Sequence, residues 1–156
     1  MFRKKSTKME RADDMRTTIV REMQAKDFEE VVSFARLLKH DSAKKPLAMV
    51  ALVDGRIAGY AEMAETFFGR EFVALLSVRP KYRRQGVATA LMKAMEANCR
   101  GPKLFTSTNR SNQAMRRLLA GLHYHLCGTI DELDEDDPEW IFVKHLASPD
   151  PHAIEF

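Results

Sequence analysis

Cysteine is scarce in this chain. The two present, Cys99 and Cys127, lie far apart and form no CxxC or CxxH spacing. That excludes a disulfide framework and a cysteine-based metal site, and both read as reduced thiols of a cytoplasmic protein. No apolar run reaches the roughly 18 residues that a membrane span needs. The basic opening MFRKKSTKMERADD has no apolar stretch behind it, so it does not read as a secretory leader. Internal repeats, low-complexity segments and long linkers are missing too. Two common phosphate motifs are absent: no GxGxxG follows a strand, and no GxxxxGK[ST] occurs.

Net charge is small, +3, and unevenly placed. The first 21 residues carry seven basic and three acidic side chains, and the remainder is close to neutral. A nearly neutral body argues against a nucleic-acid footprint, which needs a basic face on the domain itself. Residues 1–15 read as a solvated basic tail, 16–147 as one domain, and 148–156, with Pro149 and Pro151, as an irregular end. At 156 residues and 45% apolar, the chain suits one continuous core.

Periodicity then assigns the elements. Thr17–Met23 reads as a first strand. Asp27 caps a helix in which Phe28, Val31, Val32, Ala35 and Leu38 recur at helical spacing, predicted to run to about His40. Leu47–Val53 and Arg56–Glu65 form a hairpin about Asp54-Gly55. The chain turns at Phe67–Arg70 into the strand Phe72–Val78. Val87, Ala90, Leu91, Ala94, Met95 and Asn98 draw one stripe on a second helix. Lys103–Thr108 is a strand. Ser111 or Asn112 caps a third helix with Met115, Leu118, Leu119 and Leu122 inward. His123–Ile130 and Trp140–Leu146 are the last strands. The order β-α-β-β-β-α-β-α-β-β implies an α/β layer fold with a mixed sheet of about seven strands and helices on both faces.

Chemistry concentrates where a buried strand runs into Arg79–Gly86 and then a helix. A helix start offers unpaired N–H groups and partial positive charge, a seat for a pyrophosphate. Gly86 permits positive φ or close approach, and Ala88 is small. Arg79, Lys81, Arg83 and Arg84 surround the loop with positive charge. These features alone point to a phosphate ligand and to nothing narrower, and a surface loop of solvated charges reads equally from them.

Arg83-Arg84-Gln85-Gly86-Val87-Ala88 resembles the (Q/R)xxGx(G/A) signature of the GNAT superfamily of acyl-CoA-dependent N-acyltransferases. Leu76-Ser77-Val78-Arg79-Pro80 resembles the LxVxP strand that precedes it. Asn112, followed by a helix and the aromatic Tyr124, resembles the Nx₁₁(F/Y) segment. The resemblance implies a sheet splayed between strands 4 and 5, and acetyl-CoA as acyl donor. It implies pyrophosphate contacts from Arg83, Arg84, Gln85, Gly86, Val87, Ala88 and Thr89. It further implies pantetheine contacts from Leu76, Ser77, Val78, Asn109 and Asn112, with the Leu76 amide aimed at the developing oxyanion. No metal is implied. Two positions depart from the pattern. Leu119 stands where the family carries an acidic tyrosine, and His123 stands where it carries glycine.

An amine must lose a proton to attack, and Glu62, Glu65 and His123 are the candidate bases; the competing readings are solvated strand carboxylates for the two glutamates and a packing or surface residue for the histidine. Phe72 fills a position where some relatives carry a carboxylate. Tyr82 reads as packing in the phosphate loop, and Cys127 as a small core residue. The loop Asp131–Glu139 holds seven acids in nine residues. It reads as a solvated hairpin loop or as an attractor of a cationic amine. The leading function is transfer of an acetyl or short acyl group to a primary amine on a small molecule or peptide, with room for a homodimer. A catalytically silent acyl-CoA sensor and a nucleic-acid module acting through the basic tail are the rivals.

Overall fold

The computed structural model describes residues 16–36 and 45–146. The expectations for 1–15, for 148–156 and for the helix beyond residue 36 lie outside the described residues. Among the described residues, seven strands form one mixed sheet: β1 (Thr18–Glu22), β2 (Leu47–Val53), β3 (Arg56–Phe67), β4 (Arg70–Val78), β5 (Lys103–Asn109), β6 (His125–Ile130) and β7 (Glu139–His145). Their spatial order is β1-β2-β3-β4-β5-β7-β6. Every neighbouring pair is antiparallel except β4–β5, which is parallel. The helices are α1 (Phe28–Val32), α2 (Val87–Asn98) and α3 (Gln113–Gly121). This is the expected layer fold and element order.

Strand alternation sorts the side chains into two cores. On one side of the sheet Met49, Ala51, Ala58, Ala61, Met63 and Val73 meet Val87, Leu91, Met92 and Met95 of α2 and Leu119 of α3. On the other side Val50, Ile57 and Tyr60 meet Val31 of α1 and Ala35. The β2–β3 and β3–β4 hairpins each turn on a residue pair with positive φ, Asp54 and Gly55 in the first and Phe68 and Gly69 in the second. That geometry matches strand twist in two-residue loops.

The first helix corrects its prediction. Its α-helical part is the five residues Phe28–Val32, entered through a 3₁₀ turn at Ala25–Asp27. Asp27 is not its isolated cap. Its carboxylate accepts from the Gln24 N–H at 2.7 Å and from Arg21 at 2.7 and 3.0 Å, tying the turn to β1. Phe28 and Val32 are exposed, so only part of the predicted apolar stripe faces the sheet.

Candidate functional site

A gap opens between β4 and β5. The two strands pair only at Phe72–Phe105 and Val73–Thr106, although β4 continues to Val78 and β5 to Asn109. Just past Val73 the register of β4 against β3 slips: Glu62 faces Leu75 and Met63 faces Val73, leaving Ala74 as an extra residue. Such a bulge bends its strand and increases local twist, which turns β4 away from β5. Buried Thr106 holds the vertex, its hydroxyl donating to the Val73 carbonyl at 2.9 Å.

The bulge also resets alternation. Val73, Leu76 and Val78 point to the α2 side, whereas Leu75 points to the α1 side. The Arg79 N–H donates to the Ala58 carbonyl at 2.8 Å, so the preceding Val78–Gly59 pair is a non-hydrogen-bonded one. Val78 therefore turns its own N–H and C=O away from β3, into the gap. Leu76, opposite Ala61 two residues earlier, shares that phase. The Val78 carbonyl accepts from Arg83 Nε at 3.2 Å.

The loop after β4 delivers a helix start to the same gap. Pro80–Tyr82 make a 3₁₀ turn, Arg84 has φ 59° and Gly86 φ 80°. A Cβ at Gly86 would meet nothing, so glycine is required there for its conformation and not for space within the chain. The Ala90 N–H to the Gly86 carbonyl (3.0 Å) closes the first turn of α2, and the amides of Val87, Ala88 and Thr89 precede it without intrahelical acceptors. Gly59 seats this helix start. A Cβ there would lie 3.0 Å from Leu91 Cδ1, Val87 Cγ1 and the Ser77 carbonyl. Sequence reasoning missed Gly59, and its place inside an apolar strand was the available signal.

Together these parts border a cleft of about 690 Å³ whose walls include Leu76, Val78, Arg83, Arg84, Gly86, Val87, Ala88 and Thr89. Met115, Arg117 and Leu118 of α3 close its far side. The predicted ring of cations is rearranged. Arg79 turns to the α1 side, its guanidinium 4.8 Å from the Phe34 ring centroid and 3.4 Å from Glu30. Lys81 lies over the Tyr82 ring. Arg83 and Arg84 border the cleft, and Arg117, not anticipated, joins them. The Gln85 side chain braces the loop, donating to the Lys81 carbonyl at 2.9 Å and accepting from Arg16 at 3.0 Å. Ser77 directs its hydroxyl to the α1 side, toward the Phe34 carbonyl.

The remaining predicted residues scatter. Asn112, not Ser111, caps α3, its Oδ1 accepting from the Met115 N–H at 3.1 Å. Asn109 donates into the acidic loop, to Asp134 at 2.7 Å. Asp137 clamps that loop to the start of α3 by accepting from the Ser111 N–H and hydroxyl at 3.0 and 2.6 Å. Those hydrogen bonds, with its nearness to Arg110, hold the Asp137 carboxyl below its usual range. Glu62 is not solvated: it is 2% exposed and accepts from the Tyr60 hydroxyl at 2.8 Å. Glu65 reaches Arg100 beyond the C-terminal end of α2, roughly 18 Å along a twelve-residue helix from its start. His123 is exposed at the C-terminal end of α3 with φ 68°, away from the cleft. Tyr124 donates to Glu96 of α2 at 3.1 Å, and burial first, then Glu96, raises its pKa. Leu119 is fully buried. Cys127 is exposed, not a core residue.

The family model described as Acetyltransferase (GNAT) family matches residues 13–124. An acetyltransferase of the GNAT family from Bacillus cereus ATCC 10987 is 25% identical, with 85% of this chain and 99% of that chain covered and a TM-score of 0.72. The ribosomal-protein-S18-alanine N-acetyltransferase of Escherichia coli superimposes with a TM-score of 0.68 at 16% identity, over 90% and 100% of the two chains. A Bacillus anthracis protein assigned as a streptothricin acetyltransferase, in complex with acetyl coenzyme A, gives 0.67 at 16% identity over 85% and 99%. No curated protein matches the chain significantly.

Proposed function

The chain belongs to the GNAT acetyltransferase family, whose members take their acyl group from acyl-CoA, and from that premise we propose that it transfers an acetyl or short acyl group to a primary amine. The observation that carries the reading is the convergence of two sets of backbone donors on one cleft. The α2 start offers amides to a pyrophosphate, flanked by Arg83, Arg84 and Arg117. The edge of β4 offers main-chain groups of Leu76 and Val78 to the amides of a pantetheine arm lying in the gap.

In the proposed reaction donor and acceptor are bound together. The amine nitrogen attacks the thioester carbon, and the Leu76 N–H stabilises the oxyanion of the tetrahedral intermediate. The amine gives up one proton to a base or water, the C–S bond breaks, and CoA leaves as its thiolate or thiol. Holding both reactants in line supplies much of the rate. Leu119, where a tyrosine would protonate the thiolate, favours one second reading: a silent acyl-CoA binder. A thiol-release assay with acetyl-CoA and a panel of amino acids, peptides, polyamines and arylalkylamines separates the two. Amine-dependent CoA release supports the transferase. Acetyl-CoA binding without release for any amine supports the silent binder.

A further inference from the structure

The gap between β4 and β5 has a second face, on the α1 side of the sheet. Register places side chains around it in rows. One row runs Ala64, Phe72, Phe105 and Val143 across β3, β4, β5 and β7, at the vertex. The next runs Glu62 and Leu75 on one arm, then Ser107 and Ile141 on the other. The vertex row is aromatic. The Phe67 ring lies 5.3 Å from Phe72 and 5.1 Å from Phe105, and Phe68 packs edge-on against Phe67 at 5.1 Å.

Phe68 is 92% exposed and sits at φ 51° in the β3–β4 turn. That position favours asparagine, aspartate or glycine. Neither burial nor turn geometry accounts for a phenylalanine there. The four rings make a strip leading from solvent to the vertex, beside the arm that carries Leu75. One strand behind Leu75 stands the buried Glu62, with Tyr60 donating to its Oε2. An apolar strip ending near a carboxylate matches a ligand with an apolar body and a cationic head, because ring faces attract both hydrocarbon and ammonium.

Resting on the reading that an amine is the acceptor, we propose that this protein selects an amine carried on an aromatic or apolar body. The body lies along Phe68, Phe67, Phe72 and Phe105 on the α1 side, and the nitrogen is presented to the gap beside Glu62. Glu62 is the group that receives the proton of the attacking amine, directly or through one water, with Tyr60 fixing its carboxylate. The acidic loop Asp131–Glu139, hydrogen-bonded to the β5–α3 turn, is not the recognition element.

The test measures steady-state acetylation of 2-phenylethylamine, ethanolamine and spermidine at saturating acetyl-CoA, with acetyl-CoA binding followed separately by thermal shift. The expected kcat/KM for 2-phenylethylamine exceeds that for ethanolamine and spermidine by about tenfold or more, the effect of burying one phenyl ring. Phe68→Ser raises the KM for 2-phenylethylamine several-fold and leaves the KM for acetyl-CoA unchanged. Glu62→Gln, which keeps shape and the Tyr60 bond, lowers kcat at least tenfold with the acetyl-CoA shift retained, and Glu62→Asp recovers part of that loss. A preference for spermidine, equal rates on all three amines, or no acetylation of any of them while acetyl-CoA still binds overturns the acceptor proposal and leaves the coenzyme cleft standing. Absence of any acetyl-CoA shift overturns the proposal together with the reading beneath it.

Discussion

At the scale of single residues, the two departures from the family pattern have different meanings. His123 is structural. The Tyr124 N–H donates to the Leu119 carbonyl at 2.9 Å, closing α3 with a Schellman bond around a left-handed residue. Glycine fits there without strain, whereas a side chain costs about 1 kcal/mol. His123→Gly should therefore raise thermal stability by about that amount without changing acetylation, read by calorimetric unfolding beside the rate assay. Leu119 is chemical. It is wholly buried among apolar neighbours, so α3 offers no acid to the leaving thiolate. A CoA thiol with a pKa of about 8.5 leaves with little protonation near neutral pH. The pH–rate curve should then rise with deprotonation of the amine and show no fall at pH 8–9. A falling limb lost on Tyr82→Phe would contradict this. His123 was readable in sequence only as a missing glycine, because the helix end that demands positive φ is a three-dimensional fact.

At the scale of elements, α2 owes its place to Gly59. Gly59→Ala puts a Cβ against one backbone oxygen and two side chains at 3.0 Å, an overpacking worth about 1–3 kcal/mol. It should lower both Tm and acetyl-CoA affinity. Gly121→Ala, where a Cβ meets nothing at the end of α3, should be neutral or slightly stabilising. Equal effects at the two glycines would show that the helix start is not held by this contact. The 3₁₀ turn before α1 depends on Asp27, whose pKa is lowered to about 2, mainly by its hydrogen bonds to Arg21. Because the folded-state value is depressed, the stabilisation is present above the ordinary carboxylate pKa and is lost as pH falls from about 4 to about 2. With Arg21 partly exposed, about 1 kcal/mol is expected. Asp27→Asn should remove that much at pH 7 and flatten the acid limb of unfolding. Clean apolar periodicity made α2 and α3 legible. The same reading carried α1 past Val32, where the described chain leaves the helix, because an apolar stripe reads as helical whether or not the sheet covers it.

At the scale of the whole molecule, the order of elements along the chain and the first hairpin were legible from periodicity and the Asp54-Gly55 turn. The loop Arg83–Ala88 was legible from its charges and one glycine. The gap between β4 and β5 was legible only by resemblance, since its cause is the extra residue Ala74, and a bulge changes no composition. Arg117 and the burial of Glu62 were hidden for the same reason: they depend on which elements face each other. The central claim is that the start of α2 and the free edge of β4 bind one acyl-CoA. The measurement that tests it most directly is a calorimetric titration of acetyl-CoA into the wild-type chain and into Ala88→Asp. Ala88 borders the cleft in the first turn of α2, where an added carboxylate favours the helix by about 0.3–1 kcal/mol yet repels a pyrophosphate. Saturable binding at one site in the wild type, lost by at least about tenfold in Ala88→Asp with no fall in the Tm of the unliganded protein, is the predicted result. Equal affinity in the two proteins would contradict it.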